Sequence, residues 1–270
     1  MPTDMLALRR QDEIVKLTIQ NESVTVAELA ERFKVTGATI RKDLRELEGK
    51  GLIRRAHGGA VSTVKPYPDP SFQERAITRY PEKSAIGKFC ADLIREGETV
   101  ILDSGTTTLS IAEQLRGRKG ITVVTNSISV VELLLNEEDM TLISTGGFAR
   151  KEGRSLVGYI AEHTLSLFRA DKAFVSVGAI DTEGNMSVGN LASVSAKQAM
   201  IRASKEVIVP ADSSKLGRAS IALIDNIIAR VGHLITDEGA DSQIVDTFRK
   251  KGIKVTCVPV PKATLKTTSA

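Results

Sequence analysis

Two groups of side chains in this sequence have types and spacings suited to chemistry with phosphate. The first is cationic. Thr36, Ala38, Thr39, Arg41, Lys42 and Arg45 flank a helical pattern whose buried side carries Ile40, Leu44 and Leu47 at i, i+4 and i+7. Small or hydroxylated residues at the start of such a helix let its backbone enter a DNA major groove, and cations meet phosphates and guanine edges. A solvated amphipathic helix shows the same charge pattern, so the flanking sequence decides. There Arg54, Arg55, His57 and Gly58 lie in LIRRAHGGAV, which alternates around a Gly-Gly turn. That is a β-hairpin pattern, and it presents its cations to a neighbouring phosphate backbone.

The second group sits where apolar, β-branched runs end. Asp103-Ser104-Gly105-Thr106-Thr107-Thr108 closes one run and opens a helical pattern. Gly105 permits a tight turn, and the N–H groups of a helix start together with three Thr hydroxyls form an anion cradle. Alone, such a loop is more often a helix cap. Two further runs end in Thr125-Asn126-Ser127 and Thr145-Gly146-Gly147, and three such ends in succession favour one shared pocket. Asp181 follows VGAI and offers a carboxylate to sugar hydroxyls. Lys197 stands early in a helical pattern, and Asp212 to Lys215 follow VIVPA. Solvated loop residues fit these last positions equally well.

The elements that must carry these groups read as follows. A helix is expected over about residues 4–20, a short strand at Val24–Val26 and a helix over 27–33. Lys34-Val35-Thr36 makes the turn, with Thr36 as N-cap of the next helix. Residues 62–70 hold Pro66, Pro68 and Pro70 and read as a stiff linker. Short helices open at Ser71 and Pro81. Seven strand-like runs then follow, Thr99–Asp103, Ile121–Thr125, Thr141–Thr145, Lys172–Val177, Glu206–Ala211, Val231–Thr236 and Ile253–Val258. Helical patterns near 107–116, 127–136, 157–168, 192–204 and 240–251 alternate with them. Such alternation implies an α/β sandwich with a largely parallel sheet, whose ligands sit at the carboxyl ends of the strands.

Composition narrows the class. The chain has 270 residues, 41% hydrophobic and 26% charged, with a net charge of +4. This is an ordinary globular balance, and the basic excess leans mildly towards a polyanionic partner. Aromatics are only 4%, so the core must rest on aliphatic side chains. Cys90 and Cys257 stand apart from any Cys/His cluster, which argues against a zinc site or a disulfide scaffold. No run reaches the roughly 18 apolar residues of a membrane span, and the expected location is the cytoplasm with no membrane partner.

The segment VTVAELAERFKVTGATIRKDLRELEGKGLIRRAHGGAV resembles the DNA-binding signature of DeoR-type bacterial transcriptional regulators. Thr36 stands where Ser is common and keeps the capping hydroxyl. DSGTTT, TNS, TGG, VGAID, ADSSKLGR and LITD resemble the sensor domain of the same family, which is related to ribose-5-phosphate isomerase folds. The resemblance covers about residues 6–255. It implies a winged helix-turn-helix domain over 1–61, with the helix-turn-helix at about 24–43, and a linker over 62–70. A sugar-phosphate sensor and oligomerisation domain follows over 71–258, an isomerase-like α/β fold with helices on both faces, and then a frayed tail over 259–270. The implied function is repression of a carbohydrate catabolic operon. The partners are a double-stranded DNA operator, a phosphorylated sugar or sugar-alcohol effector and further copies of the chain, as dimer or tetramer.

By the same resemblance, Asp103, Ser104, Gly105, Thr106, Thr107 and Thr108 hold the phosphate, and Thr125, Asn126 and Ser127 line the pocket beside Gly146 and Gly147. Asp181, Lys197, Asp212 and Lys215 meet the polyol or close the rim. No cofactor, metal or catalytic residue is implied. In NLASVSA, Ala and Ser stand where members often carry acidic residues. Two alternatives stay open: an activator of the same architecture, and an isomerase-like enzyme with Asp181 as base and Lys197 as cation. The sequence places no second carboxylate near Lys197, which weighs against the enzyme.

Overall fold

The computed structural model describes residues 10, 11, 13–15, 17, 18, 23–49, 53–56, 58–62, 71–224 and 227–261. The chain divides into two units, residues up to 69 together with 219–221, and the remainder. The linker expected at 62–70 and the tail expected at 259–270 fall mostly on residues 63–70 and 262–270, outside the described residues.

In the smaller unit, residues 10, 11, 13–15, 17 and 18 are helical (α1). β1 (Ser23–Thr25) leads directly into α2 (Val26–Phe33), then come α3 (Gly37–Gly49), β2 (Ile53–Ala56) and β3 (Gly59–Ser62). Val26, expected as strand, starts the helix because Thr25 caps it. The Thr25 hydroxyl accepts from Glu28 N at 3.2 Å, and the Glu28 carboxylate accepts from Thr25 N at 2.8 Å. β3 lies between β1 and β2, antiparallel to both, so Ser62, expected in the linker, instead ends a strand opposite Ile53. Ile14, Val24, Leu29, Ile40, Leu44, Leu47 and Ile53 form the core. Asp43 is buried in this helical layer and is held by Arg10 at 2.7 Å and Gln11 at 3.2 Å.

The larger unit begins with α4 (Phe72–Ile77) and α5 (Tyr80–Asp92), then alternates β4 (Thr99–Leu102), α6 (Thr106–Leu115), β5 (Ile121–Thr125), α7 (Ile128–Leu134) and β6 (Met140–Ser144). Next come β7 (Phe148–Arg150), β8 (Ser155–Val157), α8 (Tyr159–Ser166), β9 (Ala170–Phe174), β10 (Ala179–Ile180) and β11 (Met186–Val188). The chain continues through α9 (Val194–Arg202), β12 (Ser204–Pro210), β13 (Ala222–Leu223), β14 (Val231–Asp237), α10 (Ser242–Lys250) and β15 (Lys254–Val258).

Seven strands form one sheet in the order β15-β14-β12-β9-β4-β5-β6, and all its neighbours pair in parallel. Alternate residues face opposite sides, which is why the core is double. Val100 and Leu102 pack with Ile86, Ile111 and Val130 from α5, α6 and α7. Ile101, Val175 and Val209 pack with Leu165, Met200 and Phe248 from α8, α9 and α10. The α/β architecture, with a parallel sheet and helices on both faces, is therefore present.

Two small sheets escaped the sequence reading: the antiparallel β7–β8 hairpin and the antiparallel trio β10-β11-β13. Strands of two or three residues carry too little alternation to register. The run expected at Lys172–Val177 is displaced, its strand spanning Ala170–Phe174.

Candidate nucleic-acid interface and ligand rim

The α2–α3 corner is built by three local features. Lys34 takes a left-handed conformation at φ 51°, and its neighbour Val35 donates to Ala30 O, closing α2. Thr36 accepts from Thr39 N at 3.2 Å and shares a 2.9 Å contact with the Thr39 hydroxyl, which starts α3. Gly37 passes 3.3 Å from the Val26 side chain by its hypothetical Cβ, so a small residue suits the crossing. With Ile40, Leu44 and Leu47 inward, Thr36, Ala38, Arg41, Lys42 and Arg45 are exposed and Thr39 is half-buried. These cations and small residues share the outward face of one helix.

In the wing, Arg54, Arg55 and Gly58 are exposed, whereas His57 lies outside the described residues. Both glycines of the hairpin have a reason. Gly58 has φ +80°, and a Cβ on Gly59 would lie 2.0 Å from Val24 O. Sequence reasoning missed Glu48, whose carboxylate accepts from Arg55 N at 2.9 Å and meets Arg55 Nε at 3.2 Å. Lys42 stands 4.0 Å from Glu46.

In the larger unit, parallel pairing puts the ends of β4, β5 and β6 side by side, so Asp103–Thr108, Thr125–Ser127 and Thr145–Gly147 share one edge of the sheet. Asp103 is 1% exposed. Its Oδ1 accepts from Ser104 N at 2.7 Å, and its Oδ2 from Ser176 N at 2.9 Å, Ser176 Oγ at 2.7 Å and the Lys197 ammonium. Lys197 also donates to Ser176 O at 2.7 Å. Asp103 thus stands beside Lys197, because the fold brings the two together across 94 residues. Both groups are buried and engaged with each other and with Ser176.

Gly105 heads α6 in extended backbone without a side-chain cap. A Cβ there would lie 2.7 Å from the Ser176 Cβ, so close approach is what the glycine serves. Thr108 donates to Asp103 O at 2.6 Å, pinning the loop, and Thr106, Thr107 and Thr108 are all buried. Thr125 donates to Leu102 O and receives Ser127 N; Ser127 caps α7 by accepting from Val130 N. Asn126 Nδ2 donates to Leu156 O at 3.2 Å. Gly146 and Gly147 turn with φ +66° and +115°, Gly147 against Val157 O of β8 and Gly146 beside Ile160 of α8. Among the described residues, Thr107 Oγ1, Asn126 Oδ1 and Ser155 Oγ are buried without a hydrogen-bond partner. Ser155 reaches this edge because it bridges to Ser127, a contact no local pattern announces.

Asp181 does not lie at the end of a strand of the parallel sheet. It follows β10 in the small antiparallel trio, and its carboxylate accepts from Glu183 N, Asn185 N and Asn185 Nδ2 at 2.8–2.9 Å. It orders its own turn instead of ending a strand of the parallel sheet. Asp212 caps the turn Ser213–Lys215, accepting from Ser214 N at 3.2 Å. Lys215 donates to Val177 O at 2.8 Å. Burial, then the nearby cations Lys83, Arg75 and Lys197, pull its amine down to about 8 against the opposing pull of Asp212. Arg79, also missed from sequence, reaches Ser213 Oγ at 3.0 Å and lies 3.6 Å from both Asp212 and Asp237. Lys83 donates to Arg75 O and to Thr78 O, closing the end of α4.

A model of the DeoR-like helix-turn-helix domain matches residues 10–65, and one of the DeoR C terminal sensor domain matches residues 78–238. The chain belongs to the DeoR family of transcriptional regulators. It is 38% identical over 258 residues to the HTH-type transcriptional regulator YulB of Bacillus subtilis, covering 96% of this chain and 99% of that one. The transcriptional repressor AccR of Agrobacterium fabrum is 37% identical over 90% of this chain and 93% of its own. The glycerol-3-phosphate regulon repressor of Escherichia coli is 32% identical over 83% and 90%. Among solved structures, ribose 5-phosphate isomerase A of Methanocaldococcus jannaschii is similar at 18% identity, covering 50% of this chain and 53% of that chain with a TM-score of 0.37. As a DeoR-family regulator, the chain combines a DNA-binding helix-turn-helix domain with a domain that senses a small molecule. No described helix is long and apolar enough to cross a membrane.

Proposed function

We propose that this DeoR-family chain represses a carbohydrate catabolic operon and leaves its operator when a phosphorylated sugar or sugar alcohol binds the sensor rim. The observation that carries the effector class is the start of α6. Its first-turn N–H groups lack both intrahelical partners and a side-chain cap, beside three buried oxygens without partners. A helix N-terminus favours an anion, and unpaired buried oxygens favour a ligand with donors to share. In this reading Ser104, Gly105, Thr106, Thr107 and Thr108 hold the phosphate, while Asp103 and Lys197 set the loop. Thr125, Asn126, Ser127, Gly146 and Gly147 form the adjoining wall, and Asp212 and Lys215 the far rim. The names of AccR and of the glycerol-3-phosphate regulon repressor support repression and a phosphorylated ligand.

Thr36, Ala38, Thr39, Arg41, Lys42 and Arg45 then address the major groove, and Arg54, Arg55, His57 and Gly58 the phosphate backbone. One winged helix covers too little DNA for tight operator binding, so two or more copies on paired half-sites are required, as a dimer or tetramer. The effector acts by preferring the arrangement that binds DNA less well.

Gel shifts on the promoter nearest the gene test this, run with a panel of sugar phosphates and their unphosphorylated counterparts. Release by a phosphorylated compound alone is expected, lost in Thr107→Ala or Gly105→Ala protein. If no phosphorylated compound moves the shift, the effector reading is wrong. If deleting the gene lowers expression of the operon instead of raising it, repression is wrong.

A further inference from the structure

A carboxylate beside a polyanion is ordinarily repulsive, and removing it should tighten DNA binding. Glu48 stands near the end of α3, with a side chain 42% exposed, on the helix whose outward face carries Arg41, Lys42 and Arg45. Its geometry points the other way. One oxygen accepts from the backbone N–H of Arg55 at 2.9 Å, and the other meets Arg55 Nε at 3.2 Å. The recognition helix and the first wing strand are thus tied by one side chain that holds both backbone and guanidinium. Lys42 and Glu46, 4.0 Å apart and both well exposed, show the contrast of an ion pair confined to one helix.

We propose that Glu48 is a positioning residue for DNA binding, which fixes the wing against α3 and presents the Arg55 guanidinium to the phosphate backbone. Nε is one of five guanidinium donors, so the contact leaves the terminal amino groups outside it. A long cation held in place beforehand loses less rotamer freedom on binding, and this gain opposes the repulsion of the carboxylate. The inference rests on the reading that the wing meets phosphate.

Phosphate contacts are independent of base sequence, so a 30-base-pair duplex of arbitrary sequence serves as the probe, bound by the full chain over a series of salt concentrations. Arg55→Ala is expected to weaken binding about three- to tenfold and to flatten the salt dependence by roughly one counterion. Glu48→Ala is expected to weaken binding about threefold and to flatten the slope likewise. Glu48→Gln, which keeps an acceptor for Arg55 N, falls between. In an Arg55→Ala background, Glu48→Ala is expected to cause no further loss, because it acts through Arg55. A merely structural defect would reduce the active fraction without changing the slope, and circular dichroism melts report it separately. If Arg55→Ala leaves affinity unchanged, the wing reading falls and the proposal with it. If Arg55→Ala weakens binding but Glu48→Ala tightens it, the wing reading stands and the proposal alone is overturned.

Discussion

Asp103 and Lys197 show how much a single residue's role depends on its partner. From sequence, each is a polar residue at a strand or helix end with an outward ligand role. In the fold each is the other's counterion, with Ser176 completing both sets of hydrogen bonds. A buried ion pair is weak evidence of net stability, but removing one partner strands the other charge in a medium that cannot solvate it. Lys197→Met is therefore expected to lower the unfolding free energy of the full chain by about 3–5 kcal/mol in urea titrations. A loss under about 1 kcal/mol would mean that the pair does not brace the loop. The partners lie 73 and 94 residues from Asp103 in the chain, beyond the reach of any local pattern. The candidate site was legible in its residue types, then, but not in which of them face outward.

At the scale of elements, legibility followed length. α3 carries three buried apolar positions at helical spacing, and its outward face followed from them directly. The wing was legible for a different reason, because two adjacent glycines mark a place where backbone must do what side chains forbid. Gly58 supplies the left-handed φ and Gly59 the space beside Val24 O. Gly59→Ala forces β3 away from β1, so duplex DNA affinity should fall at least tenfold while the sensor unit retains its own unfolding transition. Equal affinity in a filter-binding titration would show that the wing tolerates the shift. The β7–β8 hairpin and the β10-β11-β13 trio were not legible, being two or three residues per strand, and their omission misplaced Asp181 and hid Ser155.

Across the whole molecule, the parallel sheet sets one more testable property. His233 on β14 is 2% exposed and contacts Thr256 on β15 through Nε2 at 2.8 Å, with Phe89 edge-on from α5. Burial, reinforced by Lys254, pulls its imidazole down to about 4. The unfolded chain titrates near 6.5, so between about pH 6.5 and 4 it binds more protons than the folded chain. Stability present above pH 6.5 is lost as pH falls through that window, on the order of 3 kcal/mol from this group. Urea unfolding of wild type and of His233→Asn at pH 7 and pH 4.5 should show a smaller pH effect in the variant. An equal pH effect in both would mean that His233 is solvated.

The sequence by itself determined the properties that are local in the chain. Periodicity near 3.6 identified α3 and its buried face, apolar runs alternating with helices identified a parallel α/β sheet, and glycines with hydroxylated residues marked the strand ends. Each depends on neighbours within a turn or a strand, where steric and hydrogen-bonding rules act over a few residues. Tertiary structure alone decided which strand ends adjoin, that Asp103 faces Lys197 instead of solvent, that Ser155 joins Ser127, and that Glu48 holds Arg55. These contacts arise because burying two faces of one sheet and one small helical core selects a single strand order and wing register, and charge pairing follows from that packing.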